Sequence, residues 1–179
     1  GINQEMFDDR LELASQFDED FHQRYDVKQV RAYTSMYDDA VRIMQSSDLQ
    51  AFDLGQEKEI TRERYGNNAF GQGCLLARRL IEHDVRAVEV TYDGWDMHNN
   101  VFISAPERCA VLDQAMAALL TDLERRGKLE ETVVVLTTEF GRTPRINQNA
   151  GRDHYPKAFS SVLAGGGFKG GIKYGKTDE

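Results

Sequence analysis

The sequence predicts an α/β protein on a mostly parallel sheet, preceded by a helical, acidic portion. Three observations predict it. First, residues 132–138 form an apolar, β-branched run, the pattern of a strand buried on both faces. Second, that run follows a strand candidate and a long amphipathic stretch, giving the strand–helix–strand order of a βαβ unit. Such units build parallel sheets with right-handed crossovers and helices on both sides. Third, the chain changes texture near residue 66. Residues 1–66 carry a net charge of −7 and no proline, whereas residues 67–179 carry −1 and all three prolines. The expected organisation is a helical segment over 1–66 packed on an α/β core over 67–179.

Along the first part, Met6, Leu11, Leu13, Phe17 and Phe21 suggest one helical stripe. Val27, Val30, Tyr33, Tyr37, Val41 and Met44 recur at three- and four-residue steps and give a cleaner one. Residues 50–66 are polar and predict a loop or a short helix. In the second part, residues 69–83 read as a helix with Cys74, Leu75, Leu76, Leu80 and Ile81 on its apolar side and Asn67 or Asn68 as cap. Residues 87–92 alternate as a strand should. Ser104, Ala105, Pro106 and Glu107 have the form of a capping box with proline in the first turn. The helix they open carries Val111, Leu112, Ala115, Met116, Leu119, Leu120 and Leu123 and ends near Gly127. Residues 159–164 predict a third strand, stopped by Gly165, Gly166 and Gly167.

The 179 residues form one domain or most of one. Gly1 in place of a methionine, and an ending at Glu179 that is no obvious domain boundary, suggest part of a longer domain. With 22 Lys and Arg against 30 Asp and Glu, the net charge is −8, which argues against nucleic acid as a partner. No apolar run approaches the roughly 18–20 residues of a membrane-spanning helix, so membrane insertion is not expected. Two cysteines, Cys74 and Cys109, do not make a disulfide framework and are read as core residues of their helices.

Ligands of parallel sheets bind beyond the carboxyl ends of the strands. The first strand candidate leads into Asp93, Gly94, Trp95, Asp96, Met97 and His98, and a carboxylate two residues from an imidazole suits a divalent ion. The second leads into Glu139, Phe140, Gly141 and Arg142, where Glu139 is a candidate ligand or base and Arg142 a candidate for an anionic group. The loop before the third strand holds Gly151, Arg152, Asp153 and His154, with Asp153 and His154 suited to metal binding or acid–base work. Each of these segments, taken singly, also reads as an ordinary turn or salt bridge. Their convergence on consecutive strand ends raises the functional reading, whereas His22 and His83 lie in helical segments and read as ordinary. There is no G-x-S-x-G elbow and no Walker pattern.

Taken in order, Gly94-Trp95-Asp96-Met97-His98-Asn99-Asn100, Thr138-Glu139-Phe140-Gly141-Arg142-Thr143-Pro144 and Gly151-Arg152-Asp153-His154-Tyr155-Pro156 resemble motifs of the domain of unknown function 1501 family. That family is similar to the sulfatase-like and alkaline phosphatase-like superfamily. The resemblance implies a three-layer α/β/α sandwich of alkaline phosphatase type, of which this chain would be the C-terminal part. It implies a metal site to which Asp96, His98, Glu139 and His154 contribute, holding zinc, manganese, calcium or magnesium. Phe140 departs from the superfamily pattern, standing where a second ligating histidine is usual. Arg142 and Arg152 would offset charge on a leaving group, and Asp153 would orient His154. The superfamily nucleophile would lie upstream of these segments, so the chain by itself is expected to be inactive. Export or a periplasmic address is also implied by the resemblance alone.

Three functions are compatible with these residues. One is metal-dependent hydrolysis of a small phosphate or sulfate ester. Another is a binding or scaffold role with a decayed metal site, which Phe140 favours. The third is a different metal-dependent reaction, such as phosphoryl transfer within a molecule.

Overall fold

The structure, a computed structural model, describes residues 3–25 and 27–177. It divides into two compact units, Gly1–Gln50 and Ala51–Glu179. Residues 51–66, grouped by sequence with the helical start, belong to the second unit.

The first unit consists mainly of α1 (Gln4–Arg24) and α2 (Lys28–Gln45). Asn3 caps α1, its Oδ1 accepting from the Met6 amide at 2.8 Å. The expected apolar stripe on α1 is present but not buried: Met6, Leu13, Phe17 and Phe21 are all exposed. On α2, Tyr37 and Met44 are exposed and Val41 is half-buried. The side chains of His22, Val30 and Tyr33 lie outside the described residues, as do Gly1, Asp178 and Glu179.

The second unit is built on three helices, α3 (Glu59–Tyr65), α4 (Ala69–Glu82) and α5 (Val101–Arg125). Tyr65, Phe70, Cys74 and Leu75 meet Ala115, Leu119 and Leu123 in one buried cluster. Asn68 caps α4 by accepting from the Gly71 amide at 2.9 Å. Gly71 has no alternative: a β-carbon there would lie 2.0 Å from the Tyr65 carbonyl oxygen. At the far end of α5, Gly127 (φ +68°) takes the left-handed position, with Gly127 N donating to Glu124 O and Lys128 N to Leu123 O, a Schellman motif. Burial pushes the Cys74 thiol up to about 11, whereas Cys109, expected in the core, is exposed.

The start of α5 differs from the capping-box reading. The helix begins at Val101, and Pro106 lies inside it. Its first amides are satisfied from a distant loop instead: Asn100 N donates to Asn149 O and Val101 N to Ala150 O. A tertiary contact, not a local cap, sets this boundary.

The sandwich expectation is overturned. The protein is 54% helical, and its described residues form four short strands in two small antiparallel sheets rather than a mostly parallel three-layer α/β/α sheet of alkaline phosphatase type. β1 (Val133–Leu136) pairs antiparallel with β4 (Val162–Gly165), Val134 opposite Ala164. β2 (Gly141–Arg142) pairs antiparallel with β3 (His154–Tyr155). The physical reason lies in the connection. A parallel neighbour needs a crossover long enough to return the chain to the same end, usually a helix. Residues 137–161 contain only the small β2–β3 ladder, so the chain comes back alongside β1 in the opposite direction. β1 is also buried on one side only, Val133 and Val135 being exposed. Residues 87–92 keep the alternation that predicted a strand: Val88, Val90 and Tyr92 are half-buried, and Ala87, Glu89 and Thr91 are exposed. They form no ladder among the described residues. The pattern reports which side faces the helices, not whether a partner strand exists.

Candidate metal centre

The segment from Tyr92 to Asn100 is anchored before it reaches its polar residues. The Tyr92 ring stacks on Phe70 with centroids 4.5 Å apart and meets Trp95 edge-on at 5.6 Å. Arg108 of α5 lies over the Tyr92 ring and donates to Asp93 O at 2.7 Å. Gly94 (φ +88°) packs so closely under that guanidinium that a β-carbon would lie 2.2 Å from it. The chain then turns, buries Met97, and presents Asp96 and His98 on either side of it.

The second segment arrives through the β2–β3 ladder. Its register sets Arg142 directly opposite His154, so the two side chains share a face. All these residues meet at one atom. Asp96 Oδ1 lies 3.0 Å from His98 Nδ1, 3.0 Å from His154 Nε2 and 2.5 Å from Arg142 Nη1. Asp96 and His154 are 58 positions apart in sequence. One ligand atom each from Asp96, His98 and His154 falls within 4.8 Å of the other two. Ligands around a tetrahedral ion held at about 2.0–2.2 Å stand about 3.3–3.6 Å apart, so the two imidazole–carboxylate spacings of 3.0 Å would open only slightly on shared coordination. Coordination would require each facing ring nitrogen to be free of its proton.

The cluster is open to solvent, with side-chain exposures of 62% for Asp96, 40% for His98 and 47% for His154. The hydrogen bond from His154, and after it the Arg142 guanidinium, hold the Asp96 carboxyl below its ordinary value. The His154 ring packs at 4.6 Å from Phe140 and 4.9 Å from His98, and Arg142 also lies over the Phe140 ring. Phe140, read from sequence as the missing ligand, serves here as the surface on which His154 and Arg142 rest.

The other sequence candidates lie elsewhere. Glu139 is exposed and outside the three-residue cluster. Arg152 Nη1 donates to the carbonyls of Thr143 and Pro144 at 2.6 and 2.7 Å, which ties down the turn after β2. Asp153 Oδ1 accepts from Asn147 Nδ2 at 3.0 Å, while the His154 ring bonds to Asp96. Sequence reasoning missed Arg108 and the supporting role of Phe140, and noticed Asn147 only as a polar neighbour of Asp153 and His154, not for the contacts it makes. Arg108 lies among ordinary helix residues and offers no local signal. Asn147 does offer one, an asparagine four residues before a glycine in a polar loop, which is the signature of a side-chain-closed turn.

Residues 1–179 match the family described as "Protein of unknown function (DUF1501)", and the chain belongs to that family. Comparison with curated proteins and with solved structures finds no match.

Proposed function

With that membership as premise, we propose that Asp96, His98 and His154 form a divalent-metal centre serving hydrolysis of a small phosphate or sulfate ester. The observation that carries the reading is the meeting of His98 Nδ1 and His154 Nε2 on Asp96 Oδ1, at 3.0 Å each, from segments far apart in sequence. The likeness of the surrounding motifs to sulfatase-like and alkaline phosphatase-like proteins supports the ester class. Two imidazoles and one carboxylate suit zinc or manganese better than calcium or magnesium, which prefer oxygen ligands throughout.

A bound ion would supply a Lewis acid for the ester oxygen. The protein's own residues supply the rest. Asp96 and the two histidines would hold the ion and fix its position. Arg142, beside the same carboxylate, places a guanidinium where an anionic oxygen would approach, able to bind it through paired hydrogen bonds. Phe140 keeps His154 from turning away. The exposure of the cluster leaves a small substrate direct access.

The test is metal content and zinc titration of the protein beside the His98→Ala, His154→Ala double variant. Near-stoichiometric zinc, lost in the double variant, is the expected result, and it justifies assaying phosphate and sulfate esters. No uptake of zinc or manganese by the unaltered protein would sink the reading. A second reading, a binding protein with no ion, is favoured by one observation: Arg142 already neutralises Asp96, so the cluster is satisfied as it stands.

A further inference from the structure

Two segments carry the three ligand candidates, and the exposed Asp96–His154 contact is one of several links between them. Others lie beside it. Asn99 and Ala150 form a β-bridge, Arg152 N donates to Met97 O at 3.0 Å, and Gly151 passes so close to His98 that a β-carbon would lie 2.0 Å from its carbonyl carbon. At the head of the second segment stands Asn147, whose side chain uses both its ends. Its Nδ2 donates to the His98 carbonyl oxygen at 3.1 Å and to Asp153 Oδ1 at 3.0 Å. Its Oδ1 accepts from Asn149 N at 2.9 Å and Gly151 N at 3.0 Å.

We propose that Asn147 is the positioning residue of this site: it grips the backbone of His98 on one side and the neighbour of His154 on the other. The inference rests on reading Asp96, His98 and His154 as a metal centre, and it names what holds that centre together. The chemistry at this position needs two donors and two acceptors on a short stem. Asparagine supplies both, aspartate supplies acceptors only, and glutamine is one methylene longer. The two acceptor bonds close the 147–151 turn within its own loop. The two donor bonds reach outward, and one of them spans 49 positions to the segment that carries Asp96 and His98. Groups that orient metal ligands from outside commonly govern affinity by about 10–100-fold.

Asn147→Asp keeps the acceptors that close the turn and removes both donors, of which the one to His98 O joins the two segments. Two measurements on the full chain read the result. Calorimetric titration with zinc alone, at a temperature where both proteins are folded, is expected to show about 10-fold weaker binding or worse in the variant. In metal-free protein, the nuclear Overhauser contact between the His98 and His154 rings, whose centroids lie 4.9 Å apart, is expected in the unaltered protein and lost in the variant. Equal zinc affinity together with a retained ring contact would overturn the proposal. Loss of the ring contact supports it even where the unaltered protein takes up no zinc, and in that case the metal reading alone fails. Should the variant not fold, the unaltered protein still decides: the side-chain amide protons of Asn147, both engaged, should exchange slowly with solvent, and rapid exchange would overturn the assignment.

Discussion

The second unit holds two clusters of charge with similar ingredients and opposite surroundings. Around Arg78, the groups are enclosed. Its side chain is 1% exposed, with Nη1 on Glu82 at 2.7 Å, Nη2 by Glu57 at 2.9 Å and Nε 4.0 Å from Asp122. Each carboxylate has a second cation: Arg79 on Glu57, Arg126 on Glu82 and Arg64 on Asp122. Tyr65 donates to Asp122 from within the apolar cluster. Burial, and after it the Asp122 charge, push the Tyr65 phenol well above its ordinary pKa. Burial works against the Arg78 charge too, yet Glu57 and Glu82 outweigh it and hold the guanidinium above its ordinary value. Around Asp96 the acid and two imidazoles are open to solvent, Arg142 is half-buried, and a single carboxylate oxygen takes three partners. The lesson is one of saturation. In the enclosed cluster every acid is shared between cations around a buried guanidinium, so its work is to join α3, α4 and α5. In the open cluster the groups converge on a point that a ligand can reach.

The largest effect that would sharpen this contrast is expected at Arg78. Arg78→Ala removes the one cation common to the buried Asp122 and the half-buried Glu57 and Glu82, and breaking such a network costs about 3–5 kcal/mol. Denaturant unfolding measures it. Arg78→Met, which keeps the volume, tells packing from charge. A loss below about 1 kcal/mol in the alanine variant would mean that the second cations suffice, and that the enclosed network is no more structural than the open one.

A smaller loss is expected at Gly151. A β-carbon there meets the His98 backbone, so Gly151→Ala must push the two segments apart. Overpacking of this kind costs about 1–3 kcal/mol. The contrast predicts a further consequence that Arg78→Ala should not share while the protein is folded: zinc affinity falls along with stability. Calorimetry on both variants, at a temperature where each is folded, compares the two.

These residues also show how far the sequence could be read. The helices were legible because periodicity and caps are local: Asn68 and Gly127 do what their positions promise. Asp96, His98 and His154 were named, with Glu139, from their place after consecutive strands of a parallel sheet; the three stand together although that sheet does not form, and Glu139 lies outside the cluster. Sheet topology was not. Residues 132–138 look the same whether a strand lies between parallel neighbours or pairs once with residues 162–165, since β-branched runs record propensity and burial, not direction. Residues 87–92 alternate correctly with no ladder at all. The start of α5 was missed for a related reason, as its first amides are satisfied by Asn149 and Ala150, about 50 positions away and invisible to any local pattern. Glu139 was chosen for its place after a strand, but only the β2–β3 register decides which neighbours face Asp96, and that register brings in Arg142 and His154.

The smallest expected effect is on pH dependence, and it bears most directly on the comparison. Glu57 is pulled in two directions: burial raises its pKa, and the hydrogen bonds and charges of Arg78 and Arg79 bring it below the ordinary value of 4.5. A carboxyl whose folded pKa is depressed stabilises the fold above its unfolded value, and that contribution is lost as pH falls through the folded one. Asp96 is depressed as well, but it is solvent-exposed, so its pairing is screened and contributes little to the fold. Glu57→Gln should therefore flatten the acid side of the stability profile below about pH 4.5, while Asp96→Asn should leave that limb in place and abolish zinc binding. Thermal unfolding from pH 3 to 7 on both variants reads the first effect, and titration at neutral pH reads the second. Were Asp96→Asn to shift the acid limb as much as Glu57→Gln, the open cluster would be holding the fold, and its claim to be a site kept free for a ligand would lose its basis.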